Sequence, residues 1–145
     1  MSGVNRQVLT WVALGSLTGG LTRYLISIPW LMGWGGLFPW PTLAANVIGC
    51  GLIGFWYALM MFRQGWWSTP GVQAGVMAGY CGGLTTFSIF SLETLVLIEA
   101  GEWLTWFVYL VASLLSWCFA VYCGFSIGRI VFDPADSQTG MDDPD

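Results

Sequence analysis

From Leu43 to Phe62, and again from Trp103 to Gly128, the sequence carries no charged side chain. A helix needs about 20 predominantly apolar residues to cross the hydrocarbon core of a bilayer, and such runs leave a chain little else to become. Two more stretches have the length, 8–28 and 72–98, with Arg23 inside the first and Glu93 inside the second. The expectation is an all-α integral membrane protein with transmembrane helices at about 8–28, 43–62, 72–98 and 103–130. These form one four-helix transmembrane domain over 1–132. A cleavable leader is a poor reading of the first stretch, because no small-residue cleavage site leads into a soluble domain.

Composition agrees. The 145 residues are 56% hydrophobic and 8% charged, where soluble domains carry about 25% charged residues. Lysine and arginine number four, against eight acids and no histidine, and a chain without a basic face is not built for nucleic acid. The net charge of −4 is mostly local: Asp133, Asp136, Asp142, Asp143 and Asp145 lie in the tail 133–145. That tail has prolines, Ser137 and Gly140 but no aromatic residue, and is expected to be disordered. Cys50, Cys81, Cys118 and Cys123 sit in apolar runs with no Cys-x-x-Cys pair, so small buried thiols are expected and a zinc site is not.

The connections suit this layout. Pro29-Trp30 and Pro39-Trp40-Pro41 bracket the first loop, Arg63-Gln64-Gly65-Trp66-Trp67 form the second, and Gly101-Glu102 the third. Tryptophans 30, 34, 40, 66, 67, 103 and 106 fall at predicted span ends, where indoles suit the interface, whereas Trp56 and Trp117 fall mid-span. Arg6, Arg63 and Arg129 share one side, a bias weak enough to permit insertion both ways. Ala112, Ser116, Ala120, Gly124 and Gly128 recur every four residues, and Gly15 and Gly19 share a face with Arg23. Small residues of this kind let helices approach closely in lipid.

The segment Gly79-Tyr80-Cys81-Gly82-Gly83-Leu84-Thr85-Thr86-Phe87-Ser88-Ile89-Phe90-Ser91-Leu92-Glu93-Thr94 is unusual for the middle of a span. Its glycines and hydroxyl residues make a poor helix. Irregular backbone at membrane depth is tolerated where it is buried in protein or lines a polar path, and it frees carbonyls and amides for ions. A close helix crossing at the glycines is the other reading of the same residues.

Gly82 to Thr94, GGLTTFSIFSLET, resembles the GGLTTFSTFSLE signature of the Fluc/CrcB fluoride channels. Gly19-Gly20-Leu21-Thr22-Arg23-Tyr24 is similar to the glycine-rich end of that family's first span. Pro41-Thr42-Leu43-Ala44-Ala45-Asn46-Val47-Ile48-Gly49 resembles its Gly-Thr-Leu-x-x-Asn-x-x-Gly stretch. The resemblance covers the chain up to the acidic tail.

It implies a fluoride-selective channel in the inner or plasma membrane that exports fluoride passively and relieves its toxicity. The third helix would be broken mid-membrane. Two antiparallel, dual-topology subunits would form a homodimer with two pores. A structural sodium ion would sit on the dimer axis, held by the backbone carbonyls of Gly82 and Thr85. By the same resemblance the pore is lined by Asn46, an uncharged amide donor, with Thr42 one turn earlier; by Phe87 and Phe90, whose ring edges are electropositive; and by Ser88. Tyr109 and Ser113 begin a polar track on the fourth span. Trp117 stands where that track often has serine, and Ile89 where threonine is usual, which leaves the track less polar. Arg23 would draw anions to a vestibule, or act as a salt-bridge or snorkelling residue. Glu93 is expected near a vestibule or hydrogen-bonded.

The main alternative is a small dual-topology multidrug-type exporter, which needs a carboxylate in its first span to bind cationic drug; 8–28 has no acid. A non-conducting assembly subunit would not require the hydroxyl-rich third span. An enzyme has no histidine, nucleophile–base pair or metal cluster to rest on.

Overall fold

The computed structural model describes residues 6–34 and 36–133, so all of the acidic tail beyond Asp133 lies outside the described residues. Helix α1 spans Arg6–Pro29, followed by a π-helical turn, Trp30–Trp34, that contains Gly33 at φ 84°. Helix α2 spans Trp40–Phe62 and opens with Pro41 in its first turn, a position where the missing N–H is not needed. After a 3₁₀ turn at Trp66–Ser68 come α3 (Pro70–Ala74), a π-helical segment (Gly75–Cys81) and the short α4 (Gly82–Leu84). Helix α5 spans Phe87–Glu99 and α6 Trp103–Phe132.

Three helical stretches among the described residues are long and apolar enough to cross a membrane: Trp40–Phe62, Pro70–Glu99 and Trp103–Phe132. The 24-residue α1 has the length but is not among them. Its glycines, hydroxyl residues and Arg23 dilute its apolar character.

Between α4 and α5 the backbone leaves the helix. Thr85 (φ −78°, ψ 154°) and Thr86 (φ −150°, ψ 120°) are extended, and Thr86 Oγ1 caps α5 by accepting the Ile89 amide at 3.2 Å. The α5–α6 connection is a Schellman closure. Gly101 takes φ 74°, its amide donates to the Ile98 carbonyl (3.0 Å), and the Glu102 amide donates to that of Leu97 (2.9 Å).

The helices associate in two close pairs. α1 lies against the π segment and α4, where a Cβ on Gly19 would sit on the Tyr80 carbonyl oxygen. α2 lies against α6, where a Cβ on Gly124 would sit on the Gly51 carbonyl and one on Gly54 on the Val121 carbonyl. In lipid, where apolar burial gives little drive, this backbone approach supplies the dispersion contact. A smaller aromatic core of Phe90, Leu97 and Tyr109 joins α5 to α6, with Phe38, Trp106 and Trp117 against it.

Candidate functional site

The extended pair Thr85-Thr86 faces the N-terminal half of α2. There Asn46, only 4% exposed, holds both backbone groups of Thr86: its Oδ1 accepts the Thr86 amide at 2.7 Å, and its Nδ2 donates to the Thr86 carbonyl at 3.1 Å. This two-way pairing sets the orientation of the carboxamide, because a flipped amide would oppose donor to donor and acceptor to acceptor. It leaves the second Nδ2 hydrogen outside the pairing. It also diverts the Thr86 amide from the Gly82 carbonyl, its partner in an unbroken helix. Gly82 is exposed on the outside of the chain and Thr85 is half-buried. The Thr85 amide and hydroxyl both donate to the Cys81 carbonyl at 2.9 Å.

A cavity of about 160 Å³ adjoins this break, lined by Asn46, Cys50, Ile53, Thr85, Thr86, Phe87 and Trp117. Phe87 is 69% exposed and Phe90 4%, so the two rings, 5.7 Å apart, divide between the chain's surface and its interior. Ser88 is exposed, and its hydroxyl lies 3.3 Å from that of Thr86.

Thr42 and Tyr109 come together on a third residue. Thr42 Oγ1 donates to Glu93 Oε1 at 2.8 Å, and Tyr109 Oη donates to Glu93 Oε2 at 2.7 Å. The carboxylate is therefore gripped at both oxygens, by α2 from one side and by α6 from the other. Tyr109 is fully buried, between Phe38 (5.4 Å) and Phe90 (5.2 Å). Ser113, one turn further along α6, is also fully buried, and its hydroxyl has no hydrogen-bond partner.

Arg23 lines a second cavity, about 360 Å³, whose wall includes Tyr24, Thr42, Ile89 and Glu93. Among the described residues it forms no ion pair. Ile89 faces this cavity, beside Glu93 and not at the Asn46 break.

One contributor, Thr86, is not singled out by the sequence. Thr86 acts through its backbone and as the α5 cap; its only signal was a threonine just before a helical run. Glu93 is hydrogen-bonded, as expected, and its two donors, 51 and 16 residues away along the chain, are what the spacing does not reveal.

Apolar helices around a buried set of uncharged donors and aromatic rings, gathered at a backbone break, define a helical membrane protein with a polar interior. The profile of the CrcB family (CrcB-like protein, Camphor Resistance) matches residues 10–125, and the chain belongs to that family. A protein of Shewanella sediminis named fluoride-specific ion channel FluC is 44% identical over 116 residues, 80% of this chain and 91% of the relative. Its namesake in Shewanella loihica is 45% identical over the same shares of both chains. The one in Magnetococcus marinus is 36% identical over 126 residues, 85% of this chain and 98% of the relative.

Proposed function

We propose that the chain is a fluoride-specific channel in the cell membrane, passive in action and not an enzyme. Relatives carrying that name align over most of the chain. The observation in the fold that carries the reading is the Asn46–Thr86 pairing beside Phe87 and Trp117. Fluoride is small and strongly hydrated, so a path for it must replace water by donors without holding the ion in a charged trap. The carboxamide keeps one N–H available and bears no charge. The ring edges of Phe87 and Phe90 present partial positive charge to an anion. Arg23 brings a positive charge to the cavity it shares with Glu93, whose carboxylate is engaged by Thr42 and Tyr109, and so favours anions at the entrance.

The finer reading is a four-span subunit, its third span broken at Thr85-Thr86 within the membrane. Two such subunits pair antiparallel around two pores. Gly82 and Thr85 would hold a structural sodium ion by their carbonyls. The residues fit that group: the Thr86 amide is drawn away from Gly82, and Gly82 is exposed on the chain's surface, where a second subunit could meet it. A cation here takes backbone oxygens, which suit a hard ion. Bound there, it would fix the break by charge–dipole attraction. The multidrug-exporter reading is disfavoured, because α1 holds no acid.

Fluoride efflux from proteoliposomes tests the function. Vesicles loaded with potassium fluoride and containing the purified chain should empty on addition of a potassium ionophore, and chloride-loaded vesicles should not. Equal release of both anions, or release of neither, would refute a fluoride-specific channel.

A further inference from the structure

Two buried tryptophan N–H groups among the described residues have no hydrogen-bond partner, those of Trp56 and Trp117. Their surroundings differ. Trp56 borders a cavity of about 450 Å³ walled chiefly by apolar side chains such as Leu14, Leu52, Phe55 and Val72. Trp117 borders the small cavity at the backbone break, together with Asn46, Thr86 and Phe87, and no acid lines that space. The Trp117 ring meets Phe90 edge to face at 4.9 Å, and Phe90 also meets Tyr109. Tyr109, Ser113 and Trp117 follow at i, i+4 and i+8, along one face of α6. Of the three, Tyr109 has its hydroxyl engaged by Glu93, whereas the Ser113 hydroxyl and the Trp117 N–H are unpaired.

An indole N–H donates and cannot accept, so it suits an anion and not a cation. Left unpaired inside the protein, it is destabilising until something accepts its hydrogen. The nitrogen is shut inside a single chain, out of reach of lipid or a partner subunit in this conformation. To reach an ion in the adjoining cavity the ring has to turn, since Nε1 is buried and not exposed to that space.

Resting on the fluoride-channel reading, we propose that Trp117 is an anion-binding residue of the conduction path. As its ring tilts toward the cavity, Nε1–H donates to a fluoride ion handed on from the free N–H of Asn46. Trp117 is thus a polar step, not a gap, on the face begun by Tyr109 and Ser113.

The test uses the full chain in proteoliposomes and sodium fluoride as the probe. Trp117→Phe keeps an aromatic ring against Phe90 and deletes the donor; fluoride efflux should slow on the order of tenfold, the worth of one charge-assisted hydrogen bond. Trp117→Tyr, which returns a donor on a smaller ring, should recover part of the rate and serves if the phenylalanine variant does not fold. In ¹⁵N-labelled native chain, the Trp117 indole N–H resonance, assigned by its loss in either variant, should move downfield with fluoride and stay in place with chloride. Efflux within about twofold of native in Trp117→Phe overturns the proposal, since a lost charge-assisted bond is worth more than that. So does slowed efflux with an indole resonance that ignores fluoride, which marks a structural role. If native chain itself releases no fluoride, the channel reading fails first and separately.

Discussion

At the scale of single residues, Asn46 and Phe90 carry the sharpest consequences. Asn46→Asp preserves an acceptor for the Thr86 amide but sets a second carboxylate oxygen against the Thr86 carbonyl. It removes the free N–H and adds a repelling charge. Fluoride efflux should vanish, and stability should fall by about 1–3 kcal/mol, the usual loss when a buried polar pairing is broken. Phe90→Ile removes a ring that meets Phe87, Tyr109 and Trp117. Its flux should drop severely, with a stability loss of about 1–3 kcal/mol for a partial core truncation with lost ring contacts. Efflux assays paired with thermal unfolding in detergent check both, and normal conduction in both variants would displace the pore from these residues. Asn46 was legible as a polar residue in an apolar run. Its partner was not, because Thr86 lies 40 positions away and contributes backbone groups that every residue has.

At the scale of helices, the small residues decide which faces meet. Gly124 in α6 lies so near the Gly51 carbonyl that an added methyl must push α2 and α6 apart. Gly124→Ala should cost about 1–3 kcal/mol by overpacking and lower the thermal midpoint of the purified protein. Gly20→Ala is the control: no atom lies within 4 Å of its Cβ position, and alanine favours helix by up to about 1 kcal/mol, so stability should hold or rise. A similar loss in both variants would remove the close approach as the cause. The four-residue recurrence in α6 was visible in the sequence. That Gly124 and Gly128 meet Gly51, Phe55 and Ala58 of α2 was not, since spacing defines a face but not its neighbour. The extended pair at Thr85-Thr86 follows from local chemistry, glycines and β-branched threonines being weak helix formers, together with Asn46 accepting the freed amide.

At the scale of the whole molecule, the reading under test is the antiparallel pair. If the chain spans four times, Arg6, Arg63 and Arg129 fall on one side, and so few charges make a weak orientation signal. Single cysteines placed in the 63–69 connection, in a background lacking the four native cysteines, should react with a membrane-impermeant maleimide from both faces of the membrane. Labelling from one face alone would rule out dual topology for this chain. The outward-facing Gly82 and the large exposed apolar side chains, Phe87 and Phe119 among them, are surfaces that lipid or a second subunit would cover.

The sequence by itself determined the class: helical, membrane-spanning, and of the CrcB family, because hydropathy and charge are sums over consecutive residues and the Gly82–Thr94 motif is contiguous. Three apolar stretches meet the length and hydropathy needed to cross a bilayer, while α1, diluted by Arg23 and its small polar residues, owes its place to contacts with the π segment and α4. Only the tertiary structure decided which donor meets which acceptor. Glu93 is gripped from α2 and α6 at once, Asn46 holds the two backbone groups of Thr86, and Trp117 keeps an unpaired N–H beside a cavity. Each depends on the rotation of one helix against another. Between α2 and α6 that rotation follows glycine contacts between segments distant in the chain, which local spacing does not encode.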